Sequence, residues 1–148
     1  MRFFPIAGLL LLALSPAPPA QNRHSQLTPD QTRQLAELAA RYDHIDLSDT
    51  HIEFNSMDMG ASFIHGFSSF ILIRESVTPG PDETLRRYAV NRQTGDVWEM
   101  SLCRHYSFPE LEHAQRTMTG RAAGADAGGL AAQQKALGCT TPHPDAAS

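Results

Sequence analysis

The sequence predicts an α+β domain: an N-terminal helix packed on a three-stranded antiparallel meander, followed by one or two short C-terminal helices. Three observations predict it. A capped apolar stripe at helical spacing occupies residues 28 to 42, β-favourable runs separated by turn residues occupy 68 to 101, and a proline-led helical pattern starts near 108.

Residues 1–20 stand apart from that domain. Met1 and Arg2 precede an apolar run from Phe3 to Leu14 and a small-residue stretch ending at Ala20, the pattern of a secretory signal peptide. A transmembrane anchor is the rival reading, but the run is only about twelve residues and contains Pro5, whereas a spanning helix takes roughly twenty. No cysteine lies near the cleavage region to take a lipid. The expected organisation is a signal peptide at 1–20, one α+β domain at 21–139 and a disordered tail at 140–148. The expected location is the periplasm or the medium.

The first element opens at Thr28-Pro29-Asp30-Gln31, which combines an N-cap hydroxyl, a proline at the first helical position and a Gln placed to close a capping box. Its apolar stripe is Leu35, Leu38, Ala39 and Tyr42. From 43 to 60 apolar and acidic residues mix, and the alternation of Ile52 and Phe54 with His51, Glu53 and Asn55 allows a short half-buried strand. Phe70-Ile71-Leu72-Ile73 and Leu85 to Val90 are two further strand runs, separated by the breaker Pro79-Gly80-Pro81-Asp82. The meander is placed at about 68–76, 84–91 and 96–101. Its second hairpin turns at Asn91 to Gly95, where glycine can take positive φ, and Val97 and Trp98 then face opposite sides.

Ser107-Phe108-Pro109-Glu110 reads as a second capping box opening a helix with Leu111, Ala114 and Met118 on one face and Gly120 at its end. Residues 122–129 read as an Ala/Gly-rich linker. A short helix from Leu130 to Leu137 then stops at Gly138.

Charge narrows the function classes. The 128 residues from Gln21 onward carry eleven basic and sixteen acidic side chains, a net charge of −5. Nucleic acid and anionic membranes, whose recognition needs clustered Lys and Arg, are therefore excluded as expected partners. The two cysteines, Cys103 and Cys139, both lie in the exported part, where an even count favours one disulfide. Two free thiols or metal ligands are the rivals, and neither cysteine has the Cys-x-x-Cys spacing of a redox or zinc site.

The segment Tyr88-Ala89-Val90-Asn91-Arg92-Gln93-Thr94-Gly95-Asp96-Val97-Trp98 resembles the Y-x-V-(D/N)-x-x-T-G-x-V hairpin of PepSY-like domains and other small exported bacterial proteins. Among these are periplasmic immunity proteins that neutralise secreted antibacterial effectors. The resemblance implies a helix packed on an antiparallel sheet and a role in binding or inhibition, with no catalytic residues to carry over. An ordinary core hairpin would select much of the same pattern.

The candidate site rests on a charge asymmetry. Between Tyr42 and Ile73 there is no Lys or Arg, while Asp43, Asp46, Asp49, Glu53 and Asp58 are all acidic. A surface of that kind steers basic partners, so the expectation is a docking face formed by these five residues with His51 and His65. A solvated loop is the plain alternative. The function expected is a binding or inhibitor protein without catalysis or cofactor, of the immunity type, whose partner is a basic protein such as a cell-wall-degrading effector. A copper- or zinc-binding protein using His51, Met57, Met59 and His65 is the alternative, since imidazole and thioether suit copper. A small secreted hydrolase is the second. It lacks a Gly-x-Ser-x-Gly elbow around Ser68, Ser69 or Ser76, and a disulfide would remove the cysteine nucleophile.

Overall fold

Thr28 begins the first helix as its side chain allows: its hydroxyl accepts the Gln31 amide at 3.2 Å while the Gln31 side chain accepts the Thr28 amide at 2.9 Å. In the computed structural model, which describes residues 26–57, 64–120 and 127–139, helix α1 spans Pro29–Tyr42. The expected signal peptide and C-terminal tail lie outside the described residues. Leu35, Ala36, Ala39 and Ala40 are fully buried. Three of these are alanines, so the helix axis can approach the sheet closely. Tyr42, placed on the buried stripe by its spacing, is instead 53 % exposed and stacks its ring on Phe108 at 4.3 Å.

The helix ends in a Schellman motif, with the Ile45 amide donating to the Ala40 carbonyl at 3.0 Å and the His44 amide to the Arg41 carbonyl at 2.9 Å. The left-handed position of that motif, usually glycine, is occupied by His44 at φ +59°. The chain is thereby turned back toward the sheet.

Five strands make one antiparallel sheet in sequential order: β1 (Ile52–Ser56), β2 (Phe67–Arg74), β3 (Glu83–Asn91), β4 (Val97–Glu99) and β5 (Arg104–His105). The three central strands are the expected meander, with every end within two residues of its expected position. β1 and the two-residue β5 extend it on either edge. Hairpin β3–β4 turns on Asn91, whose side-chain oxygen accepts the Gln93 and Thr94 amides at 2.9 and 3.1 Å, and on Gly95 at φ +75°. A Cβ on Gly95 would meet Leu35 Cδ1 at 3.1 Å, so the turn also has to pass close beneath α1.

Strand alternation sends side chains to two faces. Phe70, Leu72, Tyr88, Val90 and Val97 meet α1 and helix α2 (Pro109–Thr119), which contributes Leu111, and this is the main core. On the opposite face Phe67, Ala89 and Trp98 form a smaller cluster with Leu130 and Leu137 of the C-terminal segment. Val97 and Trp98 thus part as their adjacency predicts. The capping box expected at Ser107 does not form: Pro109 sits at the first helical turn, which makes Phe108 the N-cap, and Ser107 donates its hydroxyl to Glu112 at 2.7 Å. Gly120 ends α2 at φ +67°.

Helix α3 (Ala127–Ala136) starts within the stretch expected to be linker. A polar side chain ties it to the sheet. Gln133 accepts the Trp98 indole N–H at 3.1 Å and donates to Asp96 at 2.6 Å. Immediately beyond it, Cys139 is bonded to Cys103, with Cα atoms 5.5 Å apart, so the expected disulfide joins the end of α3 to the β4–β5 turn. Asp96 is buried, which opposes its ionisation, but hydrogen bonds from His105, Thr94 and Gln133 outweigh burial and hold its carboxyl below the ordinary value.

Candidate functional site

The loop from α1 to β1 builds the site. Asp46 accepts the Ser48 hydroxyl at 2.6 Å and its amide at 2.9 Å, and Asp49 accepts the His51 amide at 3.0 Å. These are two successive Asx-type turns, the local structure that aspartates favour outside helices. The bonds from Ser48 also hold the Asp46 carboxyl below its ordinary value. Both carboxylates stay exposed, and neither makes an ion pair among the described residues.

Between this loop and the sheet lies a pocket of about 300 Å³ lined by His44, Ile45, Asp46, Asp49, Ile52, Arg74, Leu85 and Arg86. A register shift between Leu72 and Ile73 shapes its sheet wall: Leu72 pairs with Arg86 and Ile73 with Thr84, so Leu85 is the extra residue of a bulge. A bulge re-aims a side chain. Leu85 and Arg86, which regular alternation would send to opposite faces, both line the pocket. Its two arginines are engaged within the chain. Arg74 pairs with Glu83 at 3.2 Å, while Arg86 lies 3.6 Å from Asp43 and donates to the Leu85 carbonyl at 2.8 Å.

The residues expected to form the docking face are only partly brought together. Asp46, Asp49 and His51 cluster on the exposed loop, and Glu53 follows on β1 but points to the opposite sheet face from Ile52. Asp43 is withdrawn from the surface. Its side chain is 6 % exposed and accepts the Tyr106 hydroxyl at 2.5 Å, the Tyr88 hydroxyl at 3.1 Å and the Arg104 guanidinium at 2.7 Å. Burial pushes both tyrosines well above their ordinary values, and the Asp43 charge adds to this. His65 is exposed in the turn before β2, at the far end of β1 from the loop, and Asp58 lies outside the described residues.

The metal alternative meets a geometric obstacle. His51 and Met57 flank β1 at opposite ends, so at about 3.3 Å per residue they stand roughly 20 Å apart and cannot share an ion. Met59 lies outside the described residues. Among the described residues no group of three or more His, Cys, Asp or Glu is placed to hold a metal, and no helix is long and apolar enough to cross a membrane.

Six pocket residues, His44, Ile45, Ile52, Arg74, Leu85 and Arg86, were not legible as site residues in the sequence. One signal was present. Leu85 is apolar but out of phase with Tyr88 and Val90, the break in alternation that a bulge produces.

Comparison with known proteins falls on this same stretch. The family model described as effector immunity protein Tgi2PP matches residues 44–86, whose limits are the first and last residues lining the pocket. No curated protein matches. Among solved structures, the chain is similar to one in a type VI secretion system effector–immunity complex from Pseudomonas protegens, with 25 % sequence identity and a TM-score of 0.67. That likeness covers 84 % of this chain and 98 % of the other. The immunity-type half of the resemblance carried by residues 88–98 is thus supported from a different segment. What this chain is similar to, over its pocket and over most of its fold, is a protein of effector–immunity pairs.

Proposed function

We propose that the chain is an immunity protein that neutralises a secreted effector by binding it. The observation that carries the reading is the coincidence of the family match at 44–86 with a stretch that combines exposed carboxylates, an edge strand and a pocket. The likeness to a chain of a type VI effector–immunity complex supports it across the fold. The chain acts in the periplasm after export, where the Cys103–Cys139 bond is stable.

Docking uses Asp46, Asp49, His51 and Glu53 around the exposed edge of β1. An acidic edge of this kind accelerates association with a basic protein, and enzymes that work on anionic cell walls are often basic. The partner is accordingly a basic, cell-wall-degrading effector. Asp43 contributes indirectly, by fixing where the loop leaves α1.

The test is protection of living cells. Bacteria producing the effector in the periplasm should survive when the full chain, with residues 1–20, is co-expressed, and should lyse when those residues are deleted. The purified pair should associate with an affinity that falls as salt rises. Lysis despite periplasmic accumulation of the chain, or an affinity indifferent to salt, would overturn the reading or its acidic docking surface respectively.

A further inference from the structure

We propose that the pocket between the α1–β1 loop and β3 is a socket for one long cationic side chain, arginine or lysine, presented by the effector. The inference rests on the immunity reading and names what the partner inserts. Its basis is the unequal state of the charges around the cavity. Arg74 and Arg86 are already paired with Glu83 and Asp43 at 3.2 and 3.6 Å, whereas Asp46 and Asp49 receive only neutral donors, the Ser48 hydroxyl and amide and the His51 amide. An entering anion would have to compete with existing ion pairs. An entering cation meets two carboxylates with no cationic partner among the described residues.

Shape agrees with charge. The volume of about 300 Å³ is at the low end for ligand sites, enough for one side chain and too small for a folded element. Ile45, Ile52 and Leu85 supply apolar wall for a methylene stem, while the carboxylates lie on the loop at the rim. Long cationic side chains bury the stem and keep the head polar, so they match both parts of the lining. The bulge that brings Leu85 into the pocket beside Arg86 adds the third aliphatic contact. Arginine is the better fit where two carboxylates are offered, because its planar guanidinium donates in two directions.

The experiment uses the full mature chain and small probes, so that it does not depend on finding the effector. N-acetyl-arginine amide, its neutral isostere N-acetyl-citrulline amide, and N-acetyl-glutamate amide are titrated into isotope-labelled protein, with amide shifts as the readout. Saturable shifts confined to residues 44–52, 74 and 84–87 are expected with the arginine probe. Binding should be at least tenfold weaker with citrulline and absent with glutamate. Asp46→Asn and Asp49→Asn keep the turn hydrogen bonds but remove the charge, and together they should weaken the arginine probe at least tenfold with the circular dichroism spectrum unchanged.

Equal binding of citrulline, preferential binding of glutamate, or the absence of saturable shifts in this region would overturn the socket. With an effector in hand, the doubly neutralised variant should lose at least tenfold in affinity. An effector bound and neutralised equally well by that variant removes the socket while leaving the immunity reading intact. A socket that binds arginine in a chain that neutralises no effector does the reverse.

Discussion

The Tyr106 hydroxyl donates to the Asp43 carboxylate at 2.5 Å across a sequence separation of 63 residues, and this contact joins the end of α1 to the residue that follows β5. An aspartate at a helix C-terminus faces the negative end of the helix dipole, which is unfavourable by itself. Arg104 at 2.7 Å and Arg86 at 3.6 Å offset that charge, and Tyr88 completes its coordination. The exit direction of the pocket-forming loop is therefore set by side chains of β3, of β5 and of the residue just after it.

Asp43→Ala leaves two buried hydroxyls without their acceptor and removes the carboxylate partner of the Arg104 guanidinium. A loss of about 3 kcal/mol in unfolding free energy is expected. Urea denaturation followed by the fluorescence of Trp98, the single tryptophan, measures it. A change under 1 kcal/mol would show that the network is not what secures the loop.

His44 occupies a left-handed position at the end of α1 without being glycine, at φ +59°. His44→Gly should raise stability by about 0.5–1 kcal/mol, the Cβ strain relieved being partly offset by the entropy of glycine in the unfolded chain. The readout is the midpoint of thermal unfolding.

Gly95 is the opposite case. At φ +75° with Leu35 Cδ1 at 3.1 Å from any added Cβ, it combines a backbone requirement with a close approach. Gly95→Ala should cost about 2–4 kcal/mol. Retention of wild-type stability would mean that α1 can shift on the sheet, which chemical shifts of Leu35 would register.

The Cys103–Cys139 bond closes a loop of sequence separation 36 and secures α3, which Gln133 also ties to the sheet. In the chain-entropy description its loss costs about 4 kcal/mol. Replacing both cysteines by alanine should lower the urea midpoint accordingly. Reduction with dithiothreitol should also make Trp98 fluorescence more accessible to acrylamide, because Leu130, Gln133 and Leu137 cover that ring.

The stabilising contributions of Asp96, Tyr88 and Tyr106 should be complete between about pH 4 and pH 10 and fall outside that range. Asp96 titrates in the folded state below its ordinary 3.8. Its contribution is thus complete above pH 4 and is lost as pH falls through the lower folded-state value. Tyr88 and Tyr106 are displaced upward from 10.0, so their contribution is complete below pH 10 and is lost as pH rises. Chemical denaturation across pH checks both limbs, and Tyr106→Phe should shrink the alkaline one.

Much of the fold was legible because its signals are local. The Thr28–Gln31 box, the glycines at 95, 120 and 138, and the pair Val97 and Trp98 on opposite sheet faces each act within a few residues. Where reading failed, a neighbour intervened. Ser107 lost its cap to the geometry imposed by Pro109, and Tyr42 left the core for the ring of Phe108.

The candidate site divides along the same line. Composition alone placed a run without Lys or Arg between Tyr42 and Ile73, and the exposed pair Asp46 and Asp49 lies within it. Which of its acids face solvent was decided only by folding: Asp43 is neutralised by arginines 43 and 61 residues away, while Asp46 and Asp49 are turned outward by their own loop. The pocket likewise exists only in three dimensions, since Ile45, Arg74 and Leu85 come together through strand pairing and a bulge. Hydrogen bonding and sterics between near neighbours are written in the order of residues, whereas the pairing of a charge depends on which distant strand the chain brings against it.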